Sequence, residues 1–181
     1  MYSSGVRMGN SSTKSAAPDA IDSRVAKRTL IICYGNPLRS DDGLAWHVAR
    51  HLESRLDKTN TELECHHQLA PEIAAAMGQS SRVLFVDAAA EGSPGDICWS
   101  SISVDEGSAT DRAPNFTHQS SPHSLLTLCK TLYGVAPETA VVTVAGECFE
   151  LGESLSETVE AGLGGLEEKI VAWTRNSLSN H

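Results

Sequence analysis

The sequence predicts an α/β protein: a mostly parallel, five-stranded sheet with helices on both faces. Three observations carry that expectation. Five strand-like apolar runs alternate with segments of helical periodicity. Two of the runs, residues 30–33 and 83–86, are apolar without interruption, as buried strands are. Helical stretches of roughly ten to fifteen residues separate most of the strands, the spacing of crossover connections between parallel neighbours.

The first strand is expected at residues 29–34, ending at a Gly-Asn turn. The helix after it, residues 42–56, places Leu44, Val48, Leu52 and Leu56 on one face. A second strand fits residues 61–68. A short helix follows at 71–78, with Pro in its first turn and Gly at its end. The third strand, residues 82–86, runs into Asp87-Ala-Ala. Residues 95–102 carry more polar side chains and read as a strand nearer an edge. Residues 103–119 show no period and form a long loop of the kind that is functional or disordered. Ser121-Pro122-His123 opens a helix over 124–133, ended by Gly134. A fifth strand at 140–144 and an amphipathic helix over 156–176 complete the chain. Residues 1–27, rich in Ser, Ala and Gly, are expected to be a disordered tail, residues 28–176 a single domain, and 177–181 a short C-terminal tail.

Composition narrows the function. The chain has 181 residues, enough for one well-packed core, and its 40% hydrophobic and 20% charged content is ordinary for a globular protein. A formal net charge of -9 argues against a nucleic acid or an anionic membrane surface as partner. Five cysteines without a CxxC pair give neither a disulfide framework nor a zinc-ribbon spacing, and point to a reducing compartment. No run reaches the roughly 18 apolar residues that span a bilayer. The N-terminus has no apolar core of a secretory signal, so the expected location is cytoplasmic.

The stretch GNPLRSDDG, residues 35–43, is where chemistry should be sought, because ligands of open α/β sheets bind beyond the carboxyl ends of the strands. Asp41 and Asp42 stand where the next helix begins. One acid there can serve as a helix cap, but a cap needs only one. Asp87 closes a continuous apolar strand, where a carboxylate requires a partner or a ligand unless it is a turn residue. His123 lies at a helix start, where the dipole disfavours the imidazolium and leaves a neutral ring able to ligate. Two carboxylates and an imidazole on one sheet edge would make a metal site of borderline-to-hard type. His66 and His67 read more simply as strand residues, since neighbours on a strand face opposite ways.

These motifs, taken in order, resemble the hydrogenase maturation endopeptidases, which process the large subunit of nickel–iron hydrogenases. The likeness rests on GNPLRSDDG (35–43), QLAPEIAAAM (68–77), VLFVDAA (83–89), HQSSPHSLL (118–126) and GECFELGESLSETVEAGL (146–163), and so covers residues 30–173. Pro37 and the pair Leu44-Ala45 depart from the family's pattern without touching a ligand position. The resemblance implies a three-layer α/β/α sandwich around a twisted sheet. It implies that Asp42, Asp87 and His123 ligate a metal, namely nickel carried by the substrate, with no organic cofactor. It further implies that a large-subunit precursor with nickel inserted loses a short C-terminal extension, cut after a basic residue, usually His. Asp42 is the expected catalytic acid, with Asp41 second to it as an acid–base or orienting group; Gly35, Asn36 and His118 are expected to meet substrate. No serine or cysteine sits in a recognisable nucleophile elbow. Two rivals remain at this level: a divalent-metal phosphatase or phosphotransferase using Asp41, Asp42 and Asp87, and a non-catalytic chaperone for the nickel-loaded partner. The phosphatase lacks a glycine-rich phosphate cradle; a nucleotide module is disfavoured because two acids at a helix start repel phosphate.

Overall fold

The computed structural model describes residues 28–104 and 120–176. Strand β1 (Thr29–Tyr34) leads through a single 3-10 turn (Ser40–Gly43) into helix α1 (Leu44–Leu52). Strand β2 (Thr61–His66), helix α2 (Ile73–Met77) and strands β3 (Arg82–Ala89) and β4 (Ile97–Ile102) follow. Helix α3 (Pro122–Tyr133), strand β5 (Glu138–Ala145) and helix α4 (Glu157–Asn176) complete the order. The sheet runs β2-β1-β3-β5-β4. Its first four strands are mutually parallel, and β4 pairs antiparallel with β5 at the edge.

Alternation along the central strands divides the core into two. Ile31 and Cys33 of β1, Leu84 and Val86 of β3 and Val142 of β5 pack beneath α1 and α4, against Leu44, Val48, Leu52, Leu163, Leu166 and Ile170. Leu30, Ile32, Val83 and Phe85 face the other way, onto Ile73 and Met77 of α2 and Leu125, Leu126 and Cys129 of α3. The result is a three-layer α/β/α sandwich. Both faces of β1 and β3 are covered, which is why their runs are apolar throughout. Each fully buried Leu, Ile or Phe contributes roughly 1.5–3 kcal/mol of transfer free energy.

Most element boundaries shift by a few residues from the expected ones, and three of the shifts bear on the site. The first helix begins at Leu44 rather than Asp42, because the acidic pair occupies the 3-10 turn instead of a first helical turn. Neither acid caps a helix: no side-chain cap bond is made at either start. Strand β3 continues to Ala89, paired with β5 throughout, so Asp87 lies inside the strand and not beyond it. Strand β2 stops at His66 and leaves His67 outside the ladder. The expected tails at 1–27 and 177–181, and all but the first two residues of the expected loop at 103–119, lie outside the described residues, as does His118. Among the described residues, no helix is long and apolar enough to cross a membrane.

Candidate functional site

Beyond the carboxyl ends of β1 and β3 lies a cleft of about 530 Å³, lined by Tyr34, Gly35, Asn36, Arg39, Asp42, His67, Gln68, Leu69, Asp87, Ala88 and Ser120. Each side is built by a local feature of the sequence. Gly35 ends β1 with φ 137, a conformation that side-chain-bearing residues rarely adopt. A Cβ there would come within 2.1 Å of the Asp42 carbonyl oxygen. The glycine therefore lets the chain turn tightly enough to bring Asp42 back over the strand end. Its N–H donates to the His66 carbonyl at 3.1 Å, and its own carbonyl accepts from Trp46 Nε1 at 2.9 Å. The Asn36 N–H then donates to Asp42 Oδ2 at 3.2 Å, while Asn36 Oδ1 accepts from the Leu38 N–H at 3.0 Å. Gly35 and Asn36 thus orient an acid; they are the scaffold of the cleft as well as its lining.

Asp87 comes from the adjacent strand. By the two-residue alternation it shares a face with Val83 and Phe85, the face that α2 and α3 cover. Burial pushes its pKa up from 3.8 to about 6, and the nearby charge of Asp42 adds to the rise. Hydrogen bonds from the Tyr34 hydroxyl and the Ala88 N–H (2.8 Å) oppose it. Tyr34 is itself held strongly protonated by burial and by the Asp87 charge, so it stays a donor. Its ring stacks edge-on against Phe85, with centroids 6.3 Å apart. Asp42 and Asp87 therefore share one cleft and feel each other's charge. A cation between them would relieve both the repulsion and the desolvation, and the all-oxygen donor pair suits a borderline-to-hard ion.

His123 occupies the second position of α3. Ser121 caps that helix: its hydroxyl accepts from the Ser124 N–H at 3.1 Å, and Ser124 Oγ accepts in turn from the Ser121 N–H at 2.7 Å. Pro122 supplies the first helical residue. The Nε2 atom of His123 is buried, and the cleft lining reaches Ser120, three residues before it. Among the described residues no group of three His, Cys, Asp or Glu side chains stands close enough to hold one ion. The structure thus joins Asp42 with Asp87 and leaves His123 on the adjoining helix turn.

Asp41 is a correction to the expected acid–base role. It is fully buried, at 0% exposure, and faces away from the cleft. Its Oδ2 accepts from the N–H groups of Glu147 (2.8 Å) and Cys148 (2.9 Å) and from the Ser156 hydroxyl (2.8 Å); Oδ1 accepts from the Ser156 N–H at 2.7 Å. Burial opposes the charge, yet these donors outweigh it and hold the carboxyl below the usual Asp range. Both carboxylate oxygens are thus committed to the segment that enters α4, and neither lines the cleft. Around it the two loops are laced together: the Ser40 N–H donates to the Gly152 carbonyl at 2.7 Å, Gly152 N–H to Leu38 at 3.0 Å, and the Arg39 guanidinium to the Phe149 carbonyl at 3.1 and 3.2 Å. Asp41 is the clasp that ties the GNPLRSDDG turn to the segment entering α4.

Sequence reasoning passed over Tyr34 and Arg39 and set His67 aside. The signal for Tyr34 is its position: it lies two residues beyond Ile32, on the same strand face as the acid-bearing register of β3. Of the paired histidines, His66 turns to Glu64 (2.9 Å), whereas His67 lines the cleft and packs on Trp46 with centroids 5.1 Å apart.

No family model and no curated protein matches the sequence. Among solved structures, the fold is similar to that of hydrogenase maturation proteases. The chain is similar to the hydrogenase maturating endopeptidase HybD from E. coli, at 24% identity and TM-score 0.66, covering 83% of this chain and 93% of that one. It is similar to the [NiFe] hydrogenase maturation protease HycI from Thermococcus kodakarensis, at 20% identity and TM-score 0.64, covering 82% and 93%. A hydrogenase 2 maturation peptidase from a Thaumarchaeota archaeon gives 23% identity and TM-score 0.60, covering 81% and 97%. At these identities the likeness is one of fold.

Proposed function

We propose that this chain is an endopeptidase that removes the C-terminal extension of a nickel–iron hydrogenase large-subunit precursor after nickel has been inserted. The observation that carries the proposal is the convergence of Asp42, from the turn after β1, and Asp87, from the neighbouring parallel strand β3, on the cleft at the carboxyl edge of a maturation-protease fold. In this reading the nickel belongs to the substrate. An ion that arrives with ligands of its own needs only a part set from the enzyme, and two facing carboxylates supply one. His123, at the start of α3, would be the third group, and its reaching the ion would require the helix start to move towards the cleft when substrate binds. Nickel accepts both carboxylate and imidazole donors.

The chain's own residues then have distinct tasks. Asp42, oriented by the Asn36 N–H, and Asp87, steadied by Tyr34, hold the precursor by its metal and so place its C-terminal peptide along the cleft. Asp87, with a pKa near 6, changes protonation close to neutrality and becomes able to ligate when the proton leaves. Arg39 and His67 stand on the cleft wall, where the peptide backbone would pass. Asp41 keeps the wall in shape and takes no proton.

The test is processing itself. Cells carrying a nickel–iron hydrogenase precursor and Asp42→Ala, Asp87→Ala or His123→Ala variants should accumulate the unprocessed large subunit, a difference read as intact mass. Normal processing by all three variants would defeat the proposal. A partner whose mass is unchanged by the wild-type protein, but which still binds it, would make this a chaperone.

A further inference from the structure

Cys33 and Cys65 stand opposite one another in the parallel pairing of β1 with β2. Strand neighbours lie about 4.8 Å apart, inside the Cα separation of about 4.4–6.8 Å that a disulfide spans. Their side chains lie on the same sheet face: Cys33 is buried in the cluster under α1, and Cys65 packs against it. Hydrogen bonding with Cys33 holds the Cys65 thiol below the usual range, and the same interaction raises Cys33, to which burial adds. Access is as unequal as acidity. Cys33 has 0% exposure, whereas Cys65 lines a groove of about 590 Å³ beside α1, with Trp46, Arg50, Glu53 and Leu63. The other cysteines are placed differently. Cys98 sits opposite Thr143 on the edge strand, Cys129 is buried in α3, and Cys148 lies in the loop clasped by Asp41.

From this arrangement we infer that Cys33 and Cys65 form a peroxide-sensitive dithiol, with Cys65 the attacking and Cys33 the resolving residue of a reversible intrachain disulfide. The inference is independent of the function proposed above. In the first step the Cys65 thiolate attacks one oxygen of hydrogen peroxide; the O–O bond breaks, and the departing hydroxide takes a proton to become water. Cys65 is left as a sulfenic acid. In the second step the Cys33 sulfur attacks the Cys65 sulfur, the S–O bond breaks, and the leaving hydroxide carries away the Cys33 proton as a second water. Two thiols are oxidised to one disulfide while one peroxide is reduced to two waters. The bridge would form just below Gly35, whose N–H is held by the carbonyl of His66, the residue after Cys65. It would brace the strand ends that carry the cleft.

The experiment treats the whole protein with hydrogen peroxide, alkylates it in denaturant and counts adducts by intact mass. Five cysteines label in the reduced protein. After peroxide two labels should be lost, a peptide joining Cys33 to Cys65 should appear, and dithiothreitol should restore both labels. In Cys65→Ser, Cys33 should stay fully alkylatable, because peroxide has no route to it. Three results would overturn the inference: Cys65 carried to sulfinic acid with Cys33 still a thiol, labelling at both residues unchanged by peroxide, or oxidation of Cys33 in the Cys65→Ser variant.

Discussion

At the residue scale, two adjacent acids have opposite fates because their surroundings differ. Asp41 meets four donors and is held ionised; Asp42 meets one and looks into the cleft. Asp87 is the reverse case, a carboxyl whose burial favours the neutral form. Its pKa rises from 3.8 to about 6, so between those values the folded chain binds a proton that the unfolded chain has released. Its contribution to stability therefore falls as pH rises through that window and stays unfavourable above it. Asp87→Asn should stabilise the protein at pH 8 by on the order of 2 kcal/mol, with the gain fading towards pH 4. Thermal melts across pH would show this; an equal effect at both ends would mean that Asp87 is not desolvated. Gly35→Ala meets both a positive φ and the Asp42 carbonyl, and should cost more than about 2 kcal/mol in urea unfolding.

At the scale of elements, the cleft depends on a contact between the turn after β1 and the loop before α4. Replacing Asp41 by Asn puts an amide N–H₂ among backbone donors and removes the charge that they solvate. Asp41→Asn should cost about 3 kcal/mol and expose residues 146–156 to limited proteolysis. Asp41 also sets an acid limit: because its folded pKa is depressed, its stabilisation is complete above the unfolded value of 3.8 and is lost as pH falls below it. A melt of Asp41→Asn that matched the wild type at neutral pH, with the loop still protected, would remove the clasp from the account. A second tie, farther from the cleft, holds the helices on one face. Glu167 of α4, 6% exposed, accepts from His51 Nδ1 at 2.6 Å and Arg55 at 2.9 Å.

At the scale of the whole molecule, the strand order places β1 and β3 in the interior of the sheet and leaves β2 and β4 at its edges. Amides of Ile31, Ile32, Leu84 and Phe85 should exchange with solvent most slowly, through global unfolding, and those of β2 and β4 faster, through local opening. Hydrogen exchange measured strand by strand checks this; edge protection equal to that of β1 and β3 would contradict it. The same order explains the position of the cleft. Neighbouring parallel strands end on one edge, so acids following β1 and inside β3 are carried to the same place without any contact between them in sequence.

Features with a local cause are legible in the chain alone. The central strands β1 and β3 follow from uninterrupted apolar runs, helices from their period, the Gly35 turn from a residue that needs no Cβ, and the start of α3 from Ser-Pro. The assignment of Asp42 and Asp87 to the carboxyl edge also followed, since a parallel sheet leaves little choice. The tertiary structure alone decided which of two neighbouring acids is a clasp. The partners of Asp41 lie 106 to 115 residues away, and no local pattern encodes a hydrogen bond over that distance. It decided equally the raised pKa of Asp87 and the pairing with Tyr34, because burial and like charge arise only when separate strands are packed side by side.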